Sequence, residues 1–434
     1  MSSTSHEPTV VIIGAGFAGI WAARTLASSN ARVLVIDTNN YHTFLPLLYQ
    51  VAAAELKAEE IAYPVRGILR DIARAQFVMG TVQELDPAAR TVRTECLTIR
   101  YDYLLIATGS TTEFFGTPGA AEYALPLKTL DHAIKIRNHI LAAFERSAGE
   151  RDAALRKRAL TFAVVGGGPT GVEFAGALAE LIHGPLVRDY PEISPSDIAI
   201  LLIEGGNRLL PGLPDRMGEY TRRTLEAKGV TVRLQTQVAS VDADAVHLKD
   251  GSVIPADTVV WSAGIRGAEG PRRWGLPTAR GERVEVLPTL QVAGYPEIFI
   301  AGDLAFFSAD GQPLPVIAPV AIQQGRSAAA NIMRLIEGRE ALPFSYKDRG
   351  AMVTIGRNAA AAHVRGRVFT GFPAWLLWLL IHLLNLIGFP NRFFVFSQWA
   401  MDYFFFERTV RLILPWKEKI CAVNPCPPEE RNRR

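Results

Sequence analysis

Thr9-Val10-Val11-Ile12-Ile13-Gly14-Ala15-Gly16-Phe17-Ala18-Gly19-Ile20-Trp21-Ala22-Ala23-Arg24-Thr25-Leu26 carries three signals in order. A β-branched run predicts a buried strand, three glycines predict a turn, and an alanine-rich stretch predicts a helix. Gly14 makes the tight turn, Gly16 lets the backbone approach a pyrophosphate, and Gly19 lets helix pack on strand. A second apolar run, Val33–Ile36, ends in Asp37, 18 residues after Gly19. That acid stands where a ribose hydroxyl needs an acceptor, and the helix N-terminus offers free N–H groups to the phosphates. The stretch therefore predicts a dinucleotide site in a parallel α/β domain.

The pattern recurs. Thr161–Val165 runs into Gly166-Gly167-Gly168-Pro169-Thr170-Gly171, a helix continues through Val172-Glu173-Phe174-Ala175, and the strand Ile198–Ile203 ends in Glu204. Gly171 and Glu204 are 33 residues apart, against a usual spacing of about 20. The stretch from His183 to Asp197 holds three prolines and reads as an insertion between helix and strand. An acid at the strand end favours the free 2′-hydroxyl of NAD(H) over the 2′-phosphate of NADP(H). Arg208, four residues on, is the opposing signal.

Length agrees with two such units. The chain has 434 residues, and single cores stop growing near roughly 250–300. A composition 49% hydrophobic and 21% charged excludes disorder and fibrous classes. Three cysteines (Cys96, Cys421, Cys426) form neither a disulfide framework nor a metal-ligand pattern, which points to a reducing compartment. The net charge of +3 offers no global field for nucleic acid. From Ser345 onward there are 13 Lys and Arg against 6 Asp and Glu, leaving 33 against 37 for residues 1–344. The basic end is also the greasiest. The polar start, Met1 to Pro8, has no apolar signal core, so no secretory or transit peptide is expected.

Two more fragments fit this frame: Tyr103-Leu104-Leu105-Ile106-Ala107-Thr108-Gly109 and Ile298-Phe299-Ile300-Ala301-Gly302-Asp303. With the doubled glycine turns they resemble the two-dinucleotide-domain flavoproteins. That resemblance implies an α/β fold of two Rossmann-like domains, the first holding FAD and the inserted second a nicotinamide nucleotide. Expected boundaries are residues 1–118 and 286–340 for the FAD domain and 119–285 for the NADH domain. Residues 341–434 form a C-terminal amphipathic helical membrane anchor. FAD contacts implied are Gly14, Ala15, Gly16, Phe17, Ala18, Gly19, Asp37, Thr38, Val82, Ala107, Thr108, Gly109, Asp303, Ala321 and Ile322. Those for NADH are Gly166, Gly168, Pro169, Thr170, Gly171, Glu204, Ala263 and Gly264.

Within that superfamily, disulfide reductases need a cysteine pair facing the flavin, and Thr38 to Glu55 contains none. Cys421 and Cys426 have a suitable spacing but sit in a Pro-rich tail and read as incidental. Asn40-Tyr41-His42-Thr43-Phe44-Leu45-Pro46-Leu47-Leu48-Tyr49-Gln50-Val51-Ala52 resembles a segment of type II NADH:quinone oxidoreductases. So do the second glycine turn with Glu173, the run Ala318-Pro319-Val320-Ala321-Ile322-Gln323-Gln324-Gly325, and the end from Gly371 to Trp399. The resemblance implies NADH oxidation and quinone reduction through FAD, with Glu173 and Gln323 in the reaction. It departs at Pro319, where the family's quinone motif has its first Gln. Two rival readings share the turns: a soluble NADH-dependent reductase of a small electron-transfer protein such as a ferredoxin, and a non-catalytic flavoprotein of the apoptosis-inducing-factor type.

Ala374 to Phe389 holds only His382 and Asn385 as polar residues over sixteen positions. A helix of that length spans about 24 Å, short of the roughly 30 Å hydrocarbon core. Phe393 to Leu414 is aromatic but broken by Asp402, Glu407, Arg408 and Arg411. Such segments suit an interfacial position better than a span, with basic residues on anionic head groups. The expectation is a peripheral protein on the cytoplasmic side of an inner membrane, a homodimer through its apolar helices, that pumps no protons because it lacks intramembrane acids. His42 and His382 read as packing or interfacial residues.

Overall fold

The computed structural model describes residues 7–309, 311–405 and 410–413; Cys421 and Cys426 lie outside them. The chain divides into two compact units, each assembled from separate stretches. The first contains residues 1–43, 62–111 and 265–348; the second contains 44–61, 112–264 and 349–434.

The first unit is built on a six-stranded sheet ordered Gln291–Val292, Tyr295–Ile300, Tyr103–Ile106, Thr9–Ile13, Arg32–Asp37, Ala75–Met79. All neighbours are parallel except the first pair. Thr9–Ile13 is central, which is why its β-branched residues are apolar toward both faces; Val10, Val11 and Ile12 are fully buried. On one face, Leu34, Ile36, Leu104 and Ile298 pack with Val82, Val92, Trp274 and Leu304. Helices Phe17–Leu26 and Ala318–Ile336 pack closely together. Gly325 permits that approach, since a Cβ there would collide with the Ala18 carbonyl. Cys96 lies exposed in the turn of a peripheral antiparallel sheet.

The second unit repeats the plan with five parallel strands, ordered Leu125–Pro126, Thr258–Trp261, Thr161–Val165, Ala199–Ile203, Val230–Arg233. Its core joins Ala163, Leu201, Ile203, Val259 and Trp261 to Val241, Val246 and Leu248 of an antiparallel sheet. The insertion after the second helix forms a π-helical turn over Ile182–Leu186 that runs into Val187–Asp189, and a 3₁₀ turn over Pro195–Asp197. A further three-stranded sheet, Ala351–Gly356, Ala359–Val364 and Arg367–Thr370, lies against the helix Pro169–Leu181. Gly176 allows the contact, because a Cβ there would stand 2.5 Å from the Ile355 carbonyl oxygen.

Two helices close the second unit, Phe372–Asn385 and Phe389–Phe405. The first helix stops at Asn385, ahead of the expected end at Gly388 and Pro390, and the second begins at Phe389 rather than Phe393, with Pro390 in its first turn. A proline near a helix start fills a position whose N–H has no partner in any case. Among the described residues no helix is long and apolar enough to cross a membrane.

Candidate functional site

At the first turn Gly14 has φ +106°, and a Cβ would strike the Ala107 carbonyl; Gly16 has nothing within 4 Å of its Cβ position. One glycine closes the turn and the next leaves space above it. Ala15 donates its N–H to Asp37 Oδ2 at 2.7 Å, while Asp37 Oδ1 accepts from the Asn39 N–H at 2.8 Å and, more weakly, from the Thr38 hydroxyl. The acid therefore orders the turn. Ala18 and Ala321 pack beside Gly302. Ile322 is half-buried, and Val82 lies in the core.

Asp303 is held from several sides. Ser110 Oγ donates to its Oδ2 at 2.6 Å, Arg283 Nε donates to its carbonyl at 3.0 Å, and the preceding Gly302 N–H donates to Gln324 Oε1 at 2.8 Å. Gln324, 1% exposed, lies in the run 318–325 but is not singled out there. Only the position of its helix beneath the strand end discloses it.

His42 packs in this unit, as the sequence suggests, and it also touches the first turn. It is 2% exposed, packs edge-on to Phe17 at 5.0 Å, and bonds through Nδ1 to the Ala15 carbonyl at 2.9 Å. Burial pushes its pKa down to about 4, so the ring is neutral and Nδ1 is the donor. Its Nε2 and the Thr108 hydroxyl are buried without a protein partner among the described residues. Buried polar atoms are normally paired. Orphaned acceptors beside an open glycine cradle suit a hydroxyl-rich, phosphate-bearing cofactor. Gly109, at φ +73° with open space around its Cβ position, continues the cradle.

The second turn repeats this logic with different parts. Gly166 has φ +113°, a Cβ there would lie 2.7 Å from the Ala263 nitrogen, and Gly168 is open. Glu204 Oε2 accepts the Gly167 N–H and Oε1 the Gly206 N–H, both at 2.6 Å. Pro169 sits in the first turn of the helix, with Thr170 exposed beside it and Gly171 packed on Gly166. Arg208 is drawn away, onto the Asp215 carboxylate and the Leu213 carbonyl. A cation so engaged is a poor recruit for a 2′-phosphate, so the opposing signal in the sequence loses weight.

Glu173 follows two residues after Gly171. Thr354 donates its N–H to Glu173 Oε1 at 3.4 Å. Burial pushes the carboxyl up to about 8, against the smaller opposing pull of that N–H and the Trp378 indole. Trp378, 1% exposed, has its indole N–H unpaired by a bond of ordinary geometry. Around it, His382 stacks at 4.0 Å and Tyr49 stands edge-on at 6.4 Å. His382 donates from Nδ1 to the Trp378 carbonyl at 2.8 Å, and burial lowers its pKa to about 4. Trp399 Nε1 donates to Gln50 Oε1 at 3.0 Å, and Gln50 Nε2 donates to the Tyr49 oxygen at 3.1 Å. Sequence reading singles out Glu173 and includes Tyr49, Gln50 and Trp399 only within resembling segments; that they gather around Trp378 comes from packing between distant parts of the chain.

Gln323 is placed otherwise than a free quinone ligand would be. Its Nε2 donates to the Lys347 carbonyl and its Oε1 accepts the Lys347 N–H, both at 3.0 Å. Pro319 occupies the first turn of the helix Ala318–Ile336, where proline is favoured. No cluster of His, Cys, Asp and Glu among the described residues could hold a metal.

Residues 8–325 match the family model for pyridine nucleotide-disulphide oxidoreductases. A type II NADH:quinone oxidoreductase of Mycobacterium tuberculosis is 36% identical over 92% of this chain and 91% of its own. Among solved structures, NDH2 of Plasmodium falciparum in complex with NADH superposes with a TM-score of 0.86 at 20% identity, covering 92% of this chain and 99% of that one. The sulfide:quinone oxidoreductase of Aquifex aeolicus gives 0.71 at 20% identity, over 92% and 95%. Likenesses at such identity speak for the fold.

Proposed function

The chain belongs to the type II NADH:quinone oxidoreductases, within the pyridine nucleotide-disulphide oxidoreductases, and we propose that it oxidises NADH and reduces a membrane quinone through FAD without pumping protons. What carries this reading is the doubled glycine turn, one on each parallel sheet, with Glu173 set on the helix that opens from the second and its carboxyl pushed up to about 8 by burial. Reduction of a quinone to a quinol takes up two protons, so an acid tuned to about 8 has a task there.

The cradle of the first unit fits FAD. The Gly14–Gly19 turn would hold its pyrophosphate, Asp37 its ribose, and Asp303, Thr108 and His42 its remaining polar groups. FAD, when bound, supplies an acceptor for a hydride and a donor of the electron pair to a quinone. The Gly166–Gly171 turn and Glu204 would hold NADH, with Glu204 accepting from both ribose hydroxyls and repelling a 2′-phosphate. Oε1 of Glu173 faces the Thr354 N–H, so the proton belongs on Oε2. Trp378 stands beside the carboxyl, packed in turn against Tyr49 and His382, and helps to exclude water. Gln323 acts in this reading by fixing the Lys347 backbone rather than through a free amide.

A membrane position is part of the proposal. Phe372, Leu376, Leu380 and Leu384 recur every four residues and are all exposed, followed by exposed Phe389, Phe393, Phe394 and Phe396. A helical stripe of this kind lies in a lipid interface, apolar side down; the same surface suits a second copy of the chain. The cytoplasmic face of an inner membrane is the proposed location.

The deciding experiment is steady-state NADH oxidation by FAD-loaded protein in detergent, with and without a short-chain quinone. Strong quinone-dependent turnover, much slower with NADPH, is expected. Flavin bleaching without quinone turnover would sink the quinone assignment and favour a protein acceptor, and no bleaching at all would favour a non-catalytic flavoprotein.

A further inference from the structure

The link Thr112–Thr117 ends in a conformation its residue types disfavour. Phe115 has φ +54° and Gly116 φ +65°. A bulky side chain rarely enters the left-handed region, and such strain persists where the surroundings enforce it, commonly at binding sites. Here the surroundings are explicit. Phe115 donates its N–H to Glu113 Oε1 at 2.6 Å, and Glu113 donates its own to the Gly264 carbonyl at 3.2 Å. Trp261 Nε1 donates to the carbonyls of Glu113 at 3.0 Å and Ala263 at 2.8 Å. The link is thus bolted to the end of the strand Thr258–Trp261.

This arrangement aims the two adjacent aromatics differently. Phe114 tucks against Trp261 at 5.6 Å, whereas Phe115 stays 66% exposed. The Phe115 ring rests over Gly264, which has φ +74°; any Cβ there would run into the ring. The glycine makes room for an exposed ring that contributes little to the core.

The sheet order says what that ring faces. Ala199–Ile203, leading to Glu204, flanks Thr161–Val165 on one side, and Thr258–Trp261, leading to Ala263 and Gly264, flanks it on the other. A dinucleotide with its adenosine ribose on Glu204 and its pyrophosphate on Gly166–Gly171 must send its other half toward Gly264. We infer that Phe115 is the platform for the nicotinamide half of the dinucleotide, an assignment that rests on NADH binding at the second turn. A planar ring on a fixed aromatic gains contact without ordering a mobile side chain.

The test compares NAD+ with ADP-ribose, which lacks the nicotinamide, by calorimetry on the full-length FAD-loaded protein. Phe115→Ala should weaken NAD+ about tenfold, as loss of one stacking platform does, and leave ADP-ribose unchanged. Phe115→Tyr should restore NAD+ binding, and Gly264→Ala, by displacing the ring, should behave like Phe115→Ala. Unchanged NAD+ binding in Phe115→Ala would overturn the assignment. So would an equal loss of both ligands, which would make the link a mere scaffold. Wild-type protein binding neither ligand would remove the NADH reading itself, a failure distinct from the other two.

Discussion

The two glycine turns are alike where they meet phosphate and unlike two residues past their third glycine. In both, the strand-end acid accepts the N–H of the residue after the first glycine, Asp37 from Ala15 and Glu204 from Gly167. The first helix then presents Trp21, with the guanidinium groups of Arg24 and Arg326 over its ring at 4.9 and 4.3 Å. The second presents Glu173, its carboxyl enclosed and held protonated to about pH 8. In the proposed function the repeated part binds and the divergent part does chemistry. A shared cradle can be copied because backbone N–H groups need no particular side chain, whereas an acid acquires a useful pKa only from what packs on it.

The sharpest way to break the comparison is at the first glycine of each turn. Gly14→Ala and Gly166→Ala both force a Cβ into backbone at positive φ. The first should leave protein without FAD. The second should retain FAD and lose about a hundredfold in kcat/KM for NADH, the scale of an ångström-level misplacement. FAD absorbance per chain separates them; equal FAD loss in both would erase the distinction between the sites.

The divergent position comes next. Glu173→Gln should keep FAD and NADH affinity but slow quinone-dependent turnover by about a hundredfold, as loss of a general acid does. Wild-type turnover should fall as pH rises through about 8, and the Gln variant should lack that limb. Stability carries a matching signature. Above about 4.5 the unfolded carboxyl releases a proton that the folded one keeps, so the contribution of Glu173 to stability declines as pH rises toward about 8 and is flat beyond. Buried neutral His42 and His382 act the opposite way below about 6.5, so the quantity to follow is the difference in denaturant midpoint between wild type and Glu173→Gln, which should fall from pH 4.5 to about 8; a constant difference would remove Glu173 from both accounts.

A smaller effect is expected at the second acid. Glu204→Gln should cost about tenfold in NADH affinity, in keeping with a hydrogen bond to a charged group. Selectivity against NADPH should relax only partly while Asp215 and Leu213 hold Arg208. NADPH overtaking NADH in this single variant would mean that Arg208 is free to move. The smallest effect belongs to Trp21→Ala, about 0.5–1 kcal/mol of stability from lost cation–π contact, with turnover unchanged. A turnover loss there would show that the equivalent positions are not divided as described.

Much of this was legible before any coordinates. Three glycines between a β-branched run and a helix have one mechanical use, and using it twice implied two parallel sheets. Asp37 and Glu204 were singled out from spacing, because turn geometry is local and local geometry is written in consecutive residues, whereas the Gly302–Asp303 strand end was singled out by resemblance. A helix break near Gly388 was equally plain.

What the chain alone could not disclose depends on residues brought together from a distance. Gln324 holds Gly302 only because one helix passes beneath one strand end. Gln323, singled out by its motif, turns both ends of its amide to Lys347. Phe115 gains its role from the missing side chain of Gly264, 149 positions away. The sequence by itself determined the dinucleotide cradles, the α/β class and the greasy end, all consequences of neighbouring residues and short periods. The tertiary structure decided which acid is a proton store, which cation is withdrawn and which ring is left in the open, since burial and field are properties of packing.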